Sequence, residues 1–190
     1  TRDGQTILAT PDGALRLLTW CPGTPLAKLP RTPALARATG DALARLTIAL
    51  RGFSHPSDDH VLLWDIRQFA ALGSLLPSLP DRLQSDVRAF SAHFQSSIAP
   101  ALTRLPTQVV HADFNPHNLL ADPDAPEAIT GILDFGDMVR TPRICDLAVA
   151  ASYLVDPEAP LLLLLPLVTT YHARLPLLPA EIALLPDLIT

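Results

Sequence analysis

At 190 residues with a formal net charge of -5 and no block of like charge, the chain is sized for one core, or for one large lobe and a remnant of another, and does not suggest nucleic acid or an anionic membrane as partner. Cys21 and Cys145 are too few and too separated for a disulfide framework or a zinc site, so the expected compartment is a reducing cytoplasm. The most apolar stretch, residues 159–169, is interrupted by Pro160 and Pro166 and is too short to span a bilayer.

Residues 5–10 and 14–20 are β-competent runs joined by Pro11-Asp12-Gly13, which predicts a hairpin that Cys21-Pro22-Gly23 breaks. Thr32 followed by Pro33 predicts a helix start, and the helix runs to residue 51 with Leu35, Ala38, Ala42 and Leu46 on one face before Gly52 closes it. The polar cluster His55, Asp58, Asp59 and His60 suggests a metal site at first sight. Pro56 and Ser57 give it no regular frame, so a solvated loop is expected. Asp65 can cap a short helix over residues 66–72. Asp81 can cap a longer one reaching residue 99, with Leu83, Val87, Phe90, Phe94 and Ile98 as its apolar stripe. Pro100 and Pro106 end that run, and residues 107–110 read as a strand.

Two blocks carry the chemistry. His111-Ala112-Asp113-Phe114-Asn115-Pro116-His117-Asn118 follows the strand, and Pro116 keeps it from forming a regular helix. Ile132-Leu133-Asp134-Phe135-Gly136-Asp137 follows a second strand-like run. The intervening residues 121–127 read as a solvated Pro-rich turn, because they lack the Gly and Glu placement of a calcium loop. One free carboxylate, plus an amide and a carboxylate for a divalent cation, is what phosphoryl transfer requires: Asp113 would orient the attacking hydroxyl while Asn118 and Asp134 would hold Mg²⁺ against the phosphates. Helices are expected from residue 144 to 154, from 161 to 173 with a bend at Pro166, and from 179 to 185. The first residue is not Met and the last residues stop in mid-pattern, so a longer product is expected at both ends.

His-x-Asp-x-x-x-x-Asn followed by Asp-Phe-Gly-Asp resembles the aminoglycoside phosphotransferase/choline kinase-like family, and its wording is closest to hydroxylysine kinase-like and homoserine kinase-like members. The resemblance implies an α+β, protein-kinase-like fold, mainly the helical C-terminal lobe, with residues 1–23 as a residual nucleotide-lobe hairpin and hinge and 24–190 as the catalytic lobe. It implies Asp113 as catalytic base, Asn118 and Asp134 as Mg²⁺ ligands, and backbone at Thr19, Trp20 and Cys21 as the hinge contact for ATP or GTP. His111 and Asp146 would brace the loop. Asp137 and Asp65 would hold the substrate, although Asp65 can equally be a plain cap and Asp137 a plain turn residue. The acceptor would be a hydroxyl on a small amino acid or amino alcohol.

Two departures from the family pattern stand out. Ala112 replaces the usual Gly before the base, which suits only an unstrained backbone. No Gly-rich phosphate loop and no strand Lys is present, Lys28 being the single lysine; the metal ligands alone should bind nucleotide weakly. A catalytically incompetent remnant acting as a binding module is therefore an alternative, and a homodimer through an apolar face left by the missing strands is expected. A metal-dependent hydrolase on His111, Asp113 and Asp134 lacks a second ligand set, and a protein kinase would need Arg before the base and an Ala-Pro-Glu downstream.

Overall fold

The computed structural model describes residues 6–189. Strands β1 (Leu8–Thr10) and β2 (Gly13–Leu15) pair antiparallel, with Gly13 taking the positive φ of 140° that the turn demands. The second strand stops at Leu15, earlier than the apolar pattern predicts, and Leu17 and Trp20 beyond it stand 98% and 85% exposed. The start of the expected first strand, Gln5, lies outside the described residues.

Two small antiparallel sheets present the site. Strand β3 (Thr24–Pro25) pairs with β5 (Leu119–Ala121), which pairs with β6 (Ile129–Ile132). Strand β4 (Thr107–Val110) pairs with β7 (Val139–Pro142) in the register Val110 to Val139. β7 was not expected: only Val139 and Thr141 alternate inward, and Pro142 ends the run before a pattern can form.

The helices form the body. Helix α1 (Pro33–Ala49) starts where expected, with the Thr32 hydroxyl accepting from Leu35 N at 3.1 Å. Leu43, Ala44 and Thr47 turn inward against α5 (Leu161–Arg174), which supplies Leu167 and Tyr171. Gly40 lies directly under the Leu167 carbonyl, so the two helices approach at a point where no Cβ fits. Helices α4 (Ile144–Ser152) and α6 (Pro179–Ile189) complete the core. Arg143 joins them by a paired contact to the fully buried Glu181, at 2.8 and 2.7 Å.

The long helix expected over 81–99 is three pieces: α2 (Asp81–His93), a π-helical turn Phe94–Ile98, and α3 (Ala99–Leu102). Pro100 has no N–H, and its ring would crowd the carbonyl four residues back; the wider turn accommodates it. Asp81 is not the cap. Pro80 holds that position, and Asp81 instead accepts from Gln84 Nε2 at 3.2 Å. The 66–72 helix is a longer 3-10 segment, Ile66–Ser78. The 53–60 loop is not wholly solvated either. Asp58 takes both Arg140 Nε and Nη2, at 3.1 and 2.6 Å, and this strap holds the loop on β7. Arg140 correspondingly holds the Asp58 carboxyl below its ordinary range. No helix among the described residues is long and apolar enough to cross a membrane.

Candidate active site

β4 ends at Val110 and delivers His111 into a loop with a left-handed residue. Ala112 has φ 65°, a conformation costing about 1–3 kcal/mol for a residue with a Cβ, so the unstrained backbone expected there is not what forms. Asp146, in the first turn of α4 and 2% exposed, accepts from His111 N at 3.1 Å and Ala112 N at 2.9 Å. These two charge-assisted bonds hold the backbone in that conformation. Burial pushes the Asp146 carboxyl up to about 6, with the His111 ring and the two N–H donors acting in the opposite direction.

His111 ties the two blocks together. Asp113 N donates to its Nδ1 at 3.3 Å, so Nε2 carries the proton and donates to Leu133 O at 2.8 Å. The ring is fully buried and leans on Phe135 with centroids 4.9 Å apart. Such a histidine positions backbone on both sides and has no free edge for proton transfer.

Asp113 is held from two directions. Asn115 Nδ2 donates to Oδ1 at 2.6 Å and Asn118 Nδ2 to Oδ2 at 2.7 Å, the latter amide also reaching Asp113 O at 3.0 Å. With its nitrogen so committed, Asn118 leaves Oδ1 as a free acceptor. Leu133 N donates to Asn118 O at 2.8 Å, and β5 pairs with β6 through Leu119 and Ile132. Asn118 and Asp134 therefore emerge at the same end of one ladder. Asp134 is exposed and left-handed at φ 59°, with Oδ1 accepting from Gly136 N at 3.4 Å. An amide oxygen and a carboxylate are donor types that a hard divalent cation takes. Among the described residues no group of three His, Cys, Asp or Glu could hold a metal by itself.

The remaining expected residues divide. Asp137 closes the 3-10 turn after Asp134 and is half-buried. Cys21 lies on β6, its Sγ 3.8 Å from Thr130 O, in space that Gly131 leaves free. Thr19 and Trp20 are exposed beside it in sequence. Asp65 is 5% exposed and accepts from Arg67 N, Arg67 Nε at 2.8 Å and Thr141 Oγ1 at 3.1 Å, so its carboxylate caps the 3-10 segment and ties it to β7. Asn115 was overlooked in the sequence. Its Oδ1 accepts from His117 N two residues on, and an asparagine beside a proline in a loop is the signal for such a local side-chain turn.

A family model described as "Phosphotransferase enzyme family" matches residues 2–183. A hydroxylysine kinase of Danio rerio is 31% identical over 175 residues, covering 88% of this chain and 49% of that protein. A hydroxylysine kinase of Bos taurus is 27% identical, covering 88% and 48%. The chain thus spans about half the length of the curated relatives it matches. Among solved structures, the amicoumacin kinase hAmiN, in complex with AMP-PNP, Ca²⁺ and Ami, superposes with TM-score 0.70 at 17% identity, covering 98% of this chain and 58% of that one. An aminoglycoside phosphotransferase from Alicyclobacillus acidocaldarius gives 0.68 at 19% identity, covering 98% and 61%. These likenesses carry the kinase-like α+β fold.

Proposed function

The chain belongs to the phosphotransferase enzyme family, and on that premise we propose that it carries the catalytic lobe of a small-molecule kinase. The reaction would move the γ-phosphate of ATP or GTP to a hydroxyl of a small amino acid or amino alcohol, a class suggested by the likeness to hydroxylysine kinases. What supports this reading is that Asn118 bonds Asp113 through its amide nitrogen and, through its carbonyl, accepts from Leu133 N, the residue before Asp134.

Asp113 receives the acceptor hydroxyl on a lone pair left free by the two asparagine amides, aligns it with the phosphorus and takes its proton late in a loose transition state. Asn118 Oδ1 and Asp134 would hold Mg²⁺, which when bound would supply positive charge to neutralise the phosphates. Backbone at Thr19, Trp20 and Cys21 receives the nucleotide base. Asp137, beside Asp134, offers a carboxylate to the acceptor's ammonium group.

A second reading, a binding module without turnover, is favoured by one observation. Lys28, the single lysine of this sequence, lies in the 3-10 turn after β3 and not on a strand. Phosphate transfer from Mg-ATP and Mg-GTP to 5-hydroxylysine, homoserine and choline decides between them. Turnover should fall on the order of 10²- to 10⁴-fold in Asp113→Ala while Mg-nucleotide still binds. Asp134→Ala should weaken nucleotide binding in Mg²⁺ but not in EDTA. Turnover retained in Asp113→Ala removes the base assignment; nucleotide binding with no turnover in the unaltered chain supports the second reading.

A further inference from the structure

The carboxylate of Asp113 is not free to turn. Asn115 is 7% exposed and all of its polar groups are engaged within the loop. Its N–H donates to Asp113 O at 2.9 Å, and its own carbonyl accepts from Asn118 N at 3.1 Å. Its Oδ1 accepts from His117 N at 2.8 Å. A backbone N–H can only donate, so that bond settles which end of the amide is oxygen. Nδ2 is left facing Asp113, 2.6 Å from Oδ1. On the other oxygen Asn118 does the same with its own nitrogen, whose orientation is settled by the bond to Asp113 O.

We propose that Asn115 is a positioning residue for phosphate transfer, clamping Asp113 together with Asn118 so that one lone pair on each carboxylate oxygen points at the acceptor hydroxyl. The proposal rests on the reading of Asp113 as base. Each oxygen of an ionised carboxylate has two acceptor sites. One is spent on an asparagine amide, and one remains. A carboxylate held at both oxygens cannot swing toward a cation without giving up a charge-assisted bond. The clamp therefore also separates the two acids of the site. Asp113 is kept for the hydroxyl, and the cation is left to Asn118 Oδ1 and Asp134. Asn115 contributes no group to the reacting atoms itself.

The test uses the full chain with three variants and a double-mutant cycle. Asn115→Ala should lower turnover about 10- to 100-fold, the scale of a misplaced reacting group. Mg-nucleotide affinity should stay within about twofold, since both metal ligands are intact. Asn115→Asp keeps the shape and the acceptor for His117 N but sets a like charge against Asp113, and should lose at least as much. Asn115→His, whose Nδ1 is as many bonds from Cβ as the amide nitrogen, should recover part of the loss. In an Asp113→Ala background, Asn115→Ala should cost nothing further. A loss of the same size in that background, or turnover within twofold of the unaltered chain, overturns the proposal. Turnover surviving in Asp113→Ala alone overturns instead the base assignment beneath it. An NMR readout needs no turnover: one Asn115 side-chain amide proton should lie downfield and exchange slowly, and lose both properties in Asp113→Ala. An Asn115 amide that exchanges like a free side chain overturns the clamp outright.

Discussion

Replacing Asp146 with asparagine keeps the shape of the side chain but removes its charge and one of its two acceptors. In the native loop the carboxylate receives N–H groups from His111 and Ala112 at 3.1 and 2.9 Å. An asparagine can accept only one of them, and its NH₂ then faces the other. A buried donor left without a partner costs about 1–3 kcal/mol. Against this, the substitution removes the cost of burying a charge. With the carboxyl pushed from 3.8 to about 6, that cost is of the order of 3 kcal/mol at neutral pH. The two effects nearly cancel at pH 7, so the pH dependence is the informative quantity.

The folded-state value lies above the unfolded one, so the native state holds the proton more firmly between the two. The stability supplied by that proton is complete below the unfolded value and is lost as pH rises through about 6. Asparagine does not titrate. Urea unfolding of both proteins from pH 8 to pH 4.5 should therefore show the native chain gaining about 2 kcal/mol on Asp146→Asn as the pH falls. Other titrating groups cancel in the difference. A flat difference, or one of opposite slope, would mean that the two N–H donors outweigh burial and hold the carboxylate ionised. Under the proposed function the variant should also lose turnover at every pH, because Ala112 keeps its strain and loses half of what restrains it.

Gly40→Ala places a methyl against the Leu167 carbonyl, which belongs to backbone and cannot step aside, so α1 and α5 must separate. Overpacking of about 1–3 kcal/mol should exceed the gain of roughly 1 kcal/mol in helix propensity. Thermal unfolding should show a lowered midpoint, with Gly73→Ala, which meets nothing within 4 Å, as the neutral control. Glu181→Gln breaks a buried pair and leaves Arg143, 12% exposed at its side chain, without its counter-charge. The expected loss is about 3–5 kcal/mol in urea unfolding. A change below about 1 kcal/mol would mean that α6 docks by its leucines alone.

What could be read from the sequence was whatever a short window dictates. Thr32 and Pro33 announce α1 within two residues, and the apolar run before His111 followed by polar residues at fixed spacing announces the loop. What escaped depends on partners far along the chain. Asp58 looked solvated because Arg140 lies 82 positions away. Ala112 looked unstrained because the carboxylate that holds it left-handed comes 34 positions later. Asp65 shows both cases at once. Its capping of Arg67 N is local and was among the expected alternatives, but Thr141, which helps bury it, is 76 positions on. β7 has only four residues, and its identity as a strand comes from the pairing with β4 rather than from its own pattern.

The same contrast separates the two acids of the site. Asp113 arrives already restrained, with both oxygens and its own N–H bonded, and its neighbour Phe114 is buried. Asp134 is exposed and rests on one long bond to Gly136 N. Under the proposed function this division follows from what each must do. A base gains from being placed before the acceptor arrives, because every rotamer frozen in advance is one the transition state need not freeze. A cation ligand gains from keeping its charge uncommitted, because bonds made beforehand must be broken when the ion comes. The scaffold meets both needs by spending its asparagines on one carboxylate and only a backbone turn on the other.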